Sequence, residues 1–185
     1  MGAYCLFLVG PRGSGKSSAG ARAAAALGLA LHDTDRLVEE DAKMSIADMV
    51  AQDGWQAFRL RESRALERAA ALGGVISTGG GIVLAEHNRR FMRAAGLVLY
   101  LAALPAVLCG RLARNPAPLQ RPSLTGAPLL DEVALVLAER EPLYLACAHH
   151  VLDASLPLEA VGREIVRLAA DGPRAFDNTD AVFSD

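Results

Sequence analysis

Lysine is nearly missing from this sequence: of its 19 basic residues only Lys16 and Lys43 are lysines, and the rest are arginines. A lysine inside a glycine-rich segment therefore stands out, and any anion held elsewhere has to be met by arginine. An excess of either charge is missing too. The net charge is −2, and without a basic surplus nothing argues for nucleic acid as a partner. No uncharged apolar run approaches the roughly 20 residues of a membrane span, although 52% of the residues are hydrophobic. Cysteine is scarce. Cys5, Cys109 and Cys147 are odd in number and lie in apolar surroundings, which argues against a disulfide framework or a cysteine metal site and for a reducing, cytoplasmic setting. Residues 1–9 lack a basic stretch ahead of the apolar one, so no signal peptide is expected. Repeats and low-complexity linkers are absent as well, and 185 residues suit one self-sufficient core.

What is present starts with Gly10-Pro11-Arg12-Gly13-Ser14-Gly15-Lys16-Ser17. Glycine, four residues, then Gly-Lys-Ser is the phosphate-loop spacing. The apolar run 4–9 before it reads as a strand buried on both faces, and the alanine-rich stretch 17–27 after it as a helix stopped by Gly28. That order is what phosphate binding needs. Glycines let the backbone turn tightly enough for several N–H groups to face one anion, and the helix N-terminus adds partial positive charge. Lys16 is then expected to reach the β- and γ-phosphates, and the Ser17 hydroxyl to ligate Mg²⁺.

Further apolar runs alternate with helical patterns, with strands expected at 4–9, 30–33, 74–78, 97–101 and 149–153. This alternation predicts a parallel sheet with helices on both faces. Asp33-Thr34-Asp35 ends the second strand, beside the phosphate loop at the carboxyl edge where α/β ligands bind. The two carboxylates are expected to face opposite ways, one toward a metal and one toward a substrate hydroxyl; alternatively, either one caps the next helix. Ser45 with Asp48 three residues on marks a helix start.

Arg59, Arg61, Arg64 and Arg68 then crowd one segment, with Glu62 and Glu67 partly neutralising them. Most are expected to be solvated. Arg59 follows Phe58 and is the candidate for a position close to the sheet. Gly79-Gly80-Gly81 ends the third expected strand; such a run loses much backbone entropy on folding, so either something approaches it closely, as in a ligand wall, or it is a wide turn. Residues 114–128 carry four prolines and two arginines and cannot be a helix. They form either a proline-stiffened lid over phosphates or a plain surface connection. A helix is expected over 130–148, kinked at Pro142, with Arg140 either pointing back to the site or on the surface like Arg111. A helix at 157–170 closes the fold, and a mobile tail is expected over 171–185.

Phosphoryl transfer is mostly positioning and charge neutralisation, and this inventory suits a kinase for a small anionic alcohol. A GTPase fits poorly, because no Asn-Lys-x-Asp stretch is present. Taken together, the loop, Asp33-Thr34-Asp35, Phe58-Arg59 with Glu62, the triple glycine, Arg121-Pro122-Ser123-Leu124-Thr125-Gly126 and Arg140-Glu141-Pro142-Leu143-Tyr144 resemble the shikimate kinase family, most of all its type II enterobacterial members.

The resemblance covers about residues 5–170 and implies a nucleoside-monophosphate-kinase-like P-loop fold, with a five-stranded parallel sheet in order 2-3-1-4-5. It implies a single domain over 1–170 with a lid at about 113–128, and phosphorylation of the shikimate 3-hydroxyl by ATP on the route to chorismate and the aromatic amino acids. By matching residues, Gly13, Ser14, Gly15, Lys16, Ser17 and Ser18 hold ATP, and Ser17 with Asp33 serves Mg²⁺. Asp35 takes the acceptor hydroxyls as base or orienting group, Gly80 and Gly81 line the substrate, and Arg59 and Arg140 grip its carboxylate. Lys16 and Arg121 act on the phosphates, Arg121 arriving with the lid. A cytoplasmic monomer with no nucleic-acid or membrane partner is expected. Pro122-Ser123-Leu124 departs from the Pro-Leu-Leu of many members and bears on the fine lid contacts. The rivals are a gluconate-type sugar-acid kinase, which lacks this combination of motifs, and a non-catalytic ATP-binding module, against which the intact Lys16, Ser17, Asp33 and Asp35 argue.

Overall fold

The five apolar runs become five strands, each within one residue of its expected ends at either side: β1 Cys5–Val9, β2 Leu31–Asp33, β3 Gly74–Ser77, β4 Gly96–Ala102 and β5 His150–Asp153. The computed structural model describes residues 4–114 and 128–171. All the pairings are parallel, and the strand order is β2-β3-β1-β4-β5. The first strand is central, and every one of its residues is buried. Strand alternation divides it between two cores. Cys5, Phe7 and Val9 join Ile76, Val98 and Tyr100 on one face, and Leu6 and Leu8 join Val75, Leu97 and Leu99 on the other.

Helices α1 Lys16–Leu27 and α7 Leu158–Ala170 cover the second face, and α3 Ile46–Leu72, α4 Glu86–Ala95 and α6 Leu129–Cys147 the first. The short α2 Thr34–Ala42 packs on α3 through Val38, Met49 and Phe58, a satellite core beside the sheet's β2 edge. Helix α5 Pro105–Arg114 leads out of β4. Ser45 caps α3 as expected, accepting from the Asp48 N–H at 3.1 Å, and Gly54 interrupts the helix with φ 77° and ψ 170°. Phe58, Leu66 and Ala69 form the buried face, whereas Leu72 is exposed at the helix end. The last long helix runs through Pro142 from Leu129 to Cys147, its remaining bonds and its packing on the sheet outweighing the one bond that proline removes. Most of the expected lid and the tail beyond Asp171 lie outside the described residues.

At the head of β5 the backbone ladder is completed by a side chain. The Val98 N–H donates to His149 Nδ1 at 2.9 Å, while the His149 N–H donates to the Val98 carbonyl. An accepting nitrogen has to be unprotonated, and burial, with Arg93 and His150 nearby, lowers the His149 pKa to about 4. Between the ordinary value near 6.5 and about 4, the unfolded chain binds a proton that the folded chain refuses, so this contribution is fully present above pH 6.5 and lost as pH falls through that window. Since the ring is only half-buried, a loss on the order of 1 kcal/mol is expected. Urea midpoints at pH 7.5 and 4.5 measure it. His149→Asn keeps an acceptor near the same place and should flatten the pH dependence by that amount; an unchanged slope would refute the assignment.

Candidate active site

The loop between β1 and α1 has the geometry its glycines allow. Gly13 and Gly15 hold φ of 83° and 89°, a left-handed region that side chains disfavour. Lys16 is buried, and its ammonium donates to the carbonyls of Gly10 and Pro11, each at 2.8 Å, so the charge sits at the centre of the loop. The next residue joins the start of α1 to two strand ends: Ser17 Oγ donates to Asp33 Oδ2 at 2.7 Å and lies 3.0 Å from Ser77 Oγ.

Asp33 caps α2, one of the two readings drawn from the sequence. Its Oδ1 accepts from the N–H groups of Asp35 and Arg36 at 3.0 and 3.4 Å, while its Oδ2 faces Ser17. The separation of the two carboxylates has a different origin from a simple extended chain, on which residues two apart share a face. Asp33 is extended, Asp35 is already in the first turn of α2, and the start of the helix parts them. Thr34 between them is fully buried and accepts the Gly79 N–H at 2.9 Å.

The triple glycine is crowded by the protein's own charged side chains. A side chain at Gly79 would run into Glu62 and come within 2.7 Å of Asp35 Oδ1, and one at Gly81 would run into the Arg59 guanidinium. The close approach expected there is therefore made by site residues, with Gly80 and Gly81 left to line the cleft. Arg59 donates to Glu62 Oε2 at 2.6 Å, and its guanidinium carbon lies 5.3 Å from both the Trp55 and Phe58 ring centres. Glu62 is 1% exposed and so is not one of the surface neutralisers that the sequence suggested. Arg61 and Arg68 pair with Asp53 and Asp41 at the surface instead. Arg140 is buried, donates to the Gly80 carbonyl at 3.3 Å, and keeps a buried Nε with no hydrogen-bond partner among the described residues. A buried donor of that kind is destabilising until something accepts from it. Arg12, Arg59 and Arg140 share this cleft with Trp55 and apolar α6 residues, in a space of about 790 Å³ that includes its mouth.

A second cavity lies across the loop, lined by Ser14, Gly15, Ser18, Arg111, Ala154 and Leu156. Arg111 is not a plain surface charge as expected. It donates to Ala154 at 2.6 Å and reaches the Gly13 and Ser14 carbonyls at 3.4 Å; these partners are distant in sequence, which is why no local pattern singled it out. Glu62 and Tyr144 did have a local signal, since they follow Arg59 and Arg140 at helical spacings of three and four. Arg121 lies outside the described residues. Among the described residues no group of three His, Cys, Asp or Glu side chains could hold a metal, and no helix is long and apolar enough to cross a membrane.

One loop with a cavity on either side is what a phosphotransferase requires, donor and acceptor meeting at the group that passes between them. Together with the 2-3-1-4-5 sheet, this makes the chain a P-loop kinase of the nucleoside-monophosphate-kinase-like type. A family model described as Shikimate kinase matches residues 12–170, and the chain belongs to the shikimate kinase family. It is 50% identical over 166 residues to shikimate kinase 2 of Yersinia enterocolitica, covering 90% of this chain and 95% of the relative. It is also 50% identical over 156 residues to shikimate kinase 2 of Pectobacterium atrosepticum, covering 84% and 90%. The solved shikimate kinase of Acinetobacter baumannii, in complex with shikimate, aligns with a TM-score of 0.85 at 27% identity, over 91% of this chain and 94% of that one.

Proposed function

We propose that the chain transfers the γ-phosphoryl group of ATP to the 3-hydroxyl of shikimate, with the nucleoside in the cavity beside Arg111 and shikimate in the arginine-lined cleft. The observation that carries the substrate side is the pair Arg59 and Arg140 meeting one glycine wall, with the Arg140 Nε buried and without an acceptor among the described residues. Planar guanidinium groups suit a carboxylate because each can donate two parallel bonds. Asp35 accepts the hydrogen bond of the 3-hydroxyl and orients its oxygen toward the γ-phosphorus. As the new O–P bond forms and the bond to the β-phosphate oxygen breaks, the hydroxyl proton passes to Asp35 and ADP leaves. Transfer of this kind has a loose transition state, so orientation matters more than early deprotonation.

Lys16 neutralises the β- and γ-phosphate oxygens from the centre of the loop, helped by the backbone N–H groups of residues 13–18. The oxygens of Ser17 and Asp33, 2.7 Å apart beside the loop, are the hard donors that Mg²⁺ takes alongside phosphates and water. A metal held there would neutralise charge developing on the phosphate oxygens. Arg121 is assigned to ATP by the family resemblance alone. The chain acts as a single-domain monomer in the cytoplasm, a setting supported by its three free cysteines, and its product feeds chorismate synthesis.

An ADP-release assay with Mg²⁺-ATP and shikimate, quinate, gluconate or nucleoside monophosphates tests the reading. Saturable turnover with shikimate and little with the others is expected. ADP release independent of acceptor, or saturable with gluconate, would overturn it.

A further inference from the structure

Three glycines in a row have no side chains to hold them, and this wall of the cleft is the least restrained backbone a site could use. Side chains from elsewhere in the fold restrain it. Thr34 takes the Gly79 N–H at 2.9 Å, and the Tyr144 hydroxyl donates to the Gly80 carbonyl at 2.6 Å. Tyr144 follows Arg140 by one helical turn on α6, so both side chains leave the same face, and both reach that carbonyl, Arg140 over the longer distance of 3.3 Å. A carbonyl has two acceptor positions, and these two donors occupy them.

The phenol is itself locked in place. Tyr144 is 1% exposed, and its ring stacks on Tyr100 of β4 with centres 5.0 Å apart and planes at 22°. The Tyr100 hydroxyl in turn donates to Glu141 on α6 at 3.2 Å. Burial raises the Tyr144 pKa, so the group remains a donor throughout the working range.

We propose that Tyr144 is a positioning residue for the acceptor: it holds the Gly80–Gly81 peptide and, by satisfying the Gly80 carbonyl, leaves the remaining donors of Arg140 to the substrate carboxylate. The peptide is planar and trans, so a fixed Gly80 carbonyl also fixes the direction of the Gly81 N–H. Without the hydroxyl, the half-buried carbonyl would draw Arg140 toward itself, and its grip on the carboxylate would loosen. This inference rests on the reading of the cleft as the shikimate site.

Tyr144→Phe keeps the stack and the volume. Its KM for shikimate should rise about tenfold, which corresponds to about 1.4 kcal/mol, with the KM for ATP unchanged and kcat within about threefold. Tyr100→Phe removes the neighbouring hydroxyl from the same stack and serves as the control; its KM for shikimate should stay at the wild-type value. In the Arg140→Ala background, Tyr144→Phe should cost less than it does alone, because the two residues share one acceptor. An unchanged KM for shikimate in Tyr144→Phe, an equal rise in Tyr100→Phe, or parallel rises for shikimate and ATP would each overturn the proposal. Wild-type turnover measured alongside keeps this distinct from failure of the substrate reading, which would show as no shikimate dependence at all.

Discussion

Asp35→Asn is expected to lower kcat by about 10²- to 10⁴-fold, while the KM for ATP changes by less than about threefold. The exchange preserves size and leaves the neighbouring Asp33 cap, made to the Asp35 and Arg36 N–H groups, intact. It removes the negative charge proposed to receive the hydroxyl proton, and an amide can present its NH₂ group to the nucleophile where an acceptor is needed. The stability loss should be small. One acidic residue in a helix's first turn contributes about 0.3–1 kcal/mol, so a collapse of the melting temperature would mean the lost activity reflects unfolding. A shift in the KM for ATP as large as the loss in kcat would move Asp35 to the nucleotide side, and unchanged turnover would remove it from the reaction.

The second large effect is at Arg59. Arg59→Ala should raise the KM for shikimate about 100-fold, the scale of losing a charge-assisted bidentate contact, without weakening ATP. It should also destabilise the protein, for a separate reason. Glu62 is 1% exposed and accepts from Arg59 at 2.6 Å, so the variant takes a cation away from a buried carboxylate, at a cost of about 3 kcal/mol. The double variant Arg59→Ala with Glu62→Gln separates the two effects, because the neutral amide no longer needs a cation. Denaturant midpoints should recover most of the stability, while the KM for shikimate stays high. If the KM recovered along with stability, Arg59 would be a structural partner of Glu62 and not a carboxylate ligand; a rise in the KM for ATP alone would also refute the assignment.

Both predictions depend on placements whose legibility in the sequence differed. Asp33 and Asp35 stood out because a phosphate loop preceded them. Their division of labour did not, since it arises where β2 gives way to α2 within three residues. Of four arginines between residues 59 and 68, only the family resemblance singled out Arg59 with any force. The packing of Trp55 and Phe58 against its guanidinium and a buried Glu62 are what turn it inward, whereas Arg61 and Arg68 find acids at the surface.

What the sequence by itself determined is local. The phosphate loop depends on where glycine, lysine and serine fall within eight residues, the strands on short apolar runs, and the ends of α1 and α3 on Gly28 and Ser45. Each of these is decided by backbone and near-neighbour energetics, and the motif order was enough to point to the family and its reaction. The tertiary structure alone decided which polar side chains leave solvent. Arg111 is held by Ala154, Thr34 by Gly79 and Tyr144 by Gly80, partners 43 to 64 residues apart in the chain. Whether a charged or hydroxyl group is surface or site depends on a buried partner that only the folded sheet brings within reach, and no spacing rule along the chain encodes that distance.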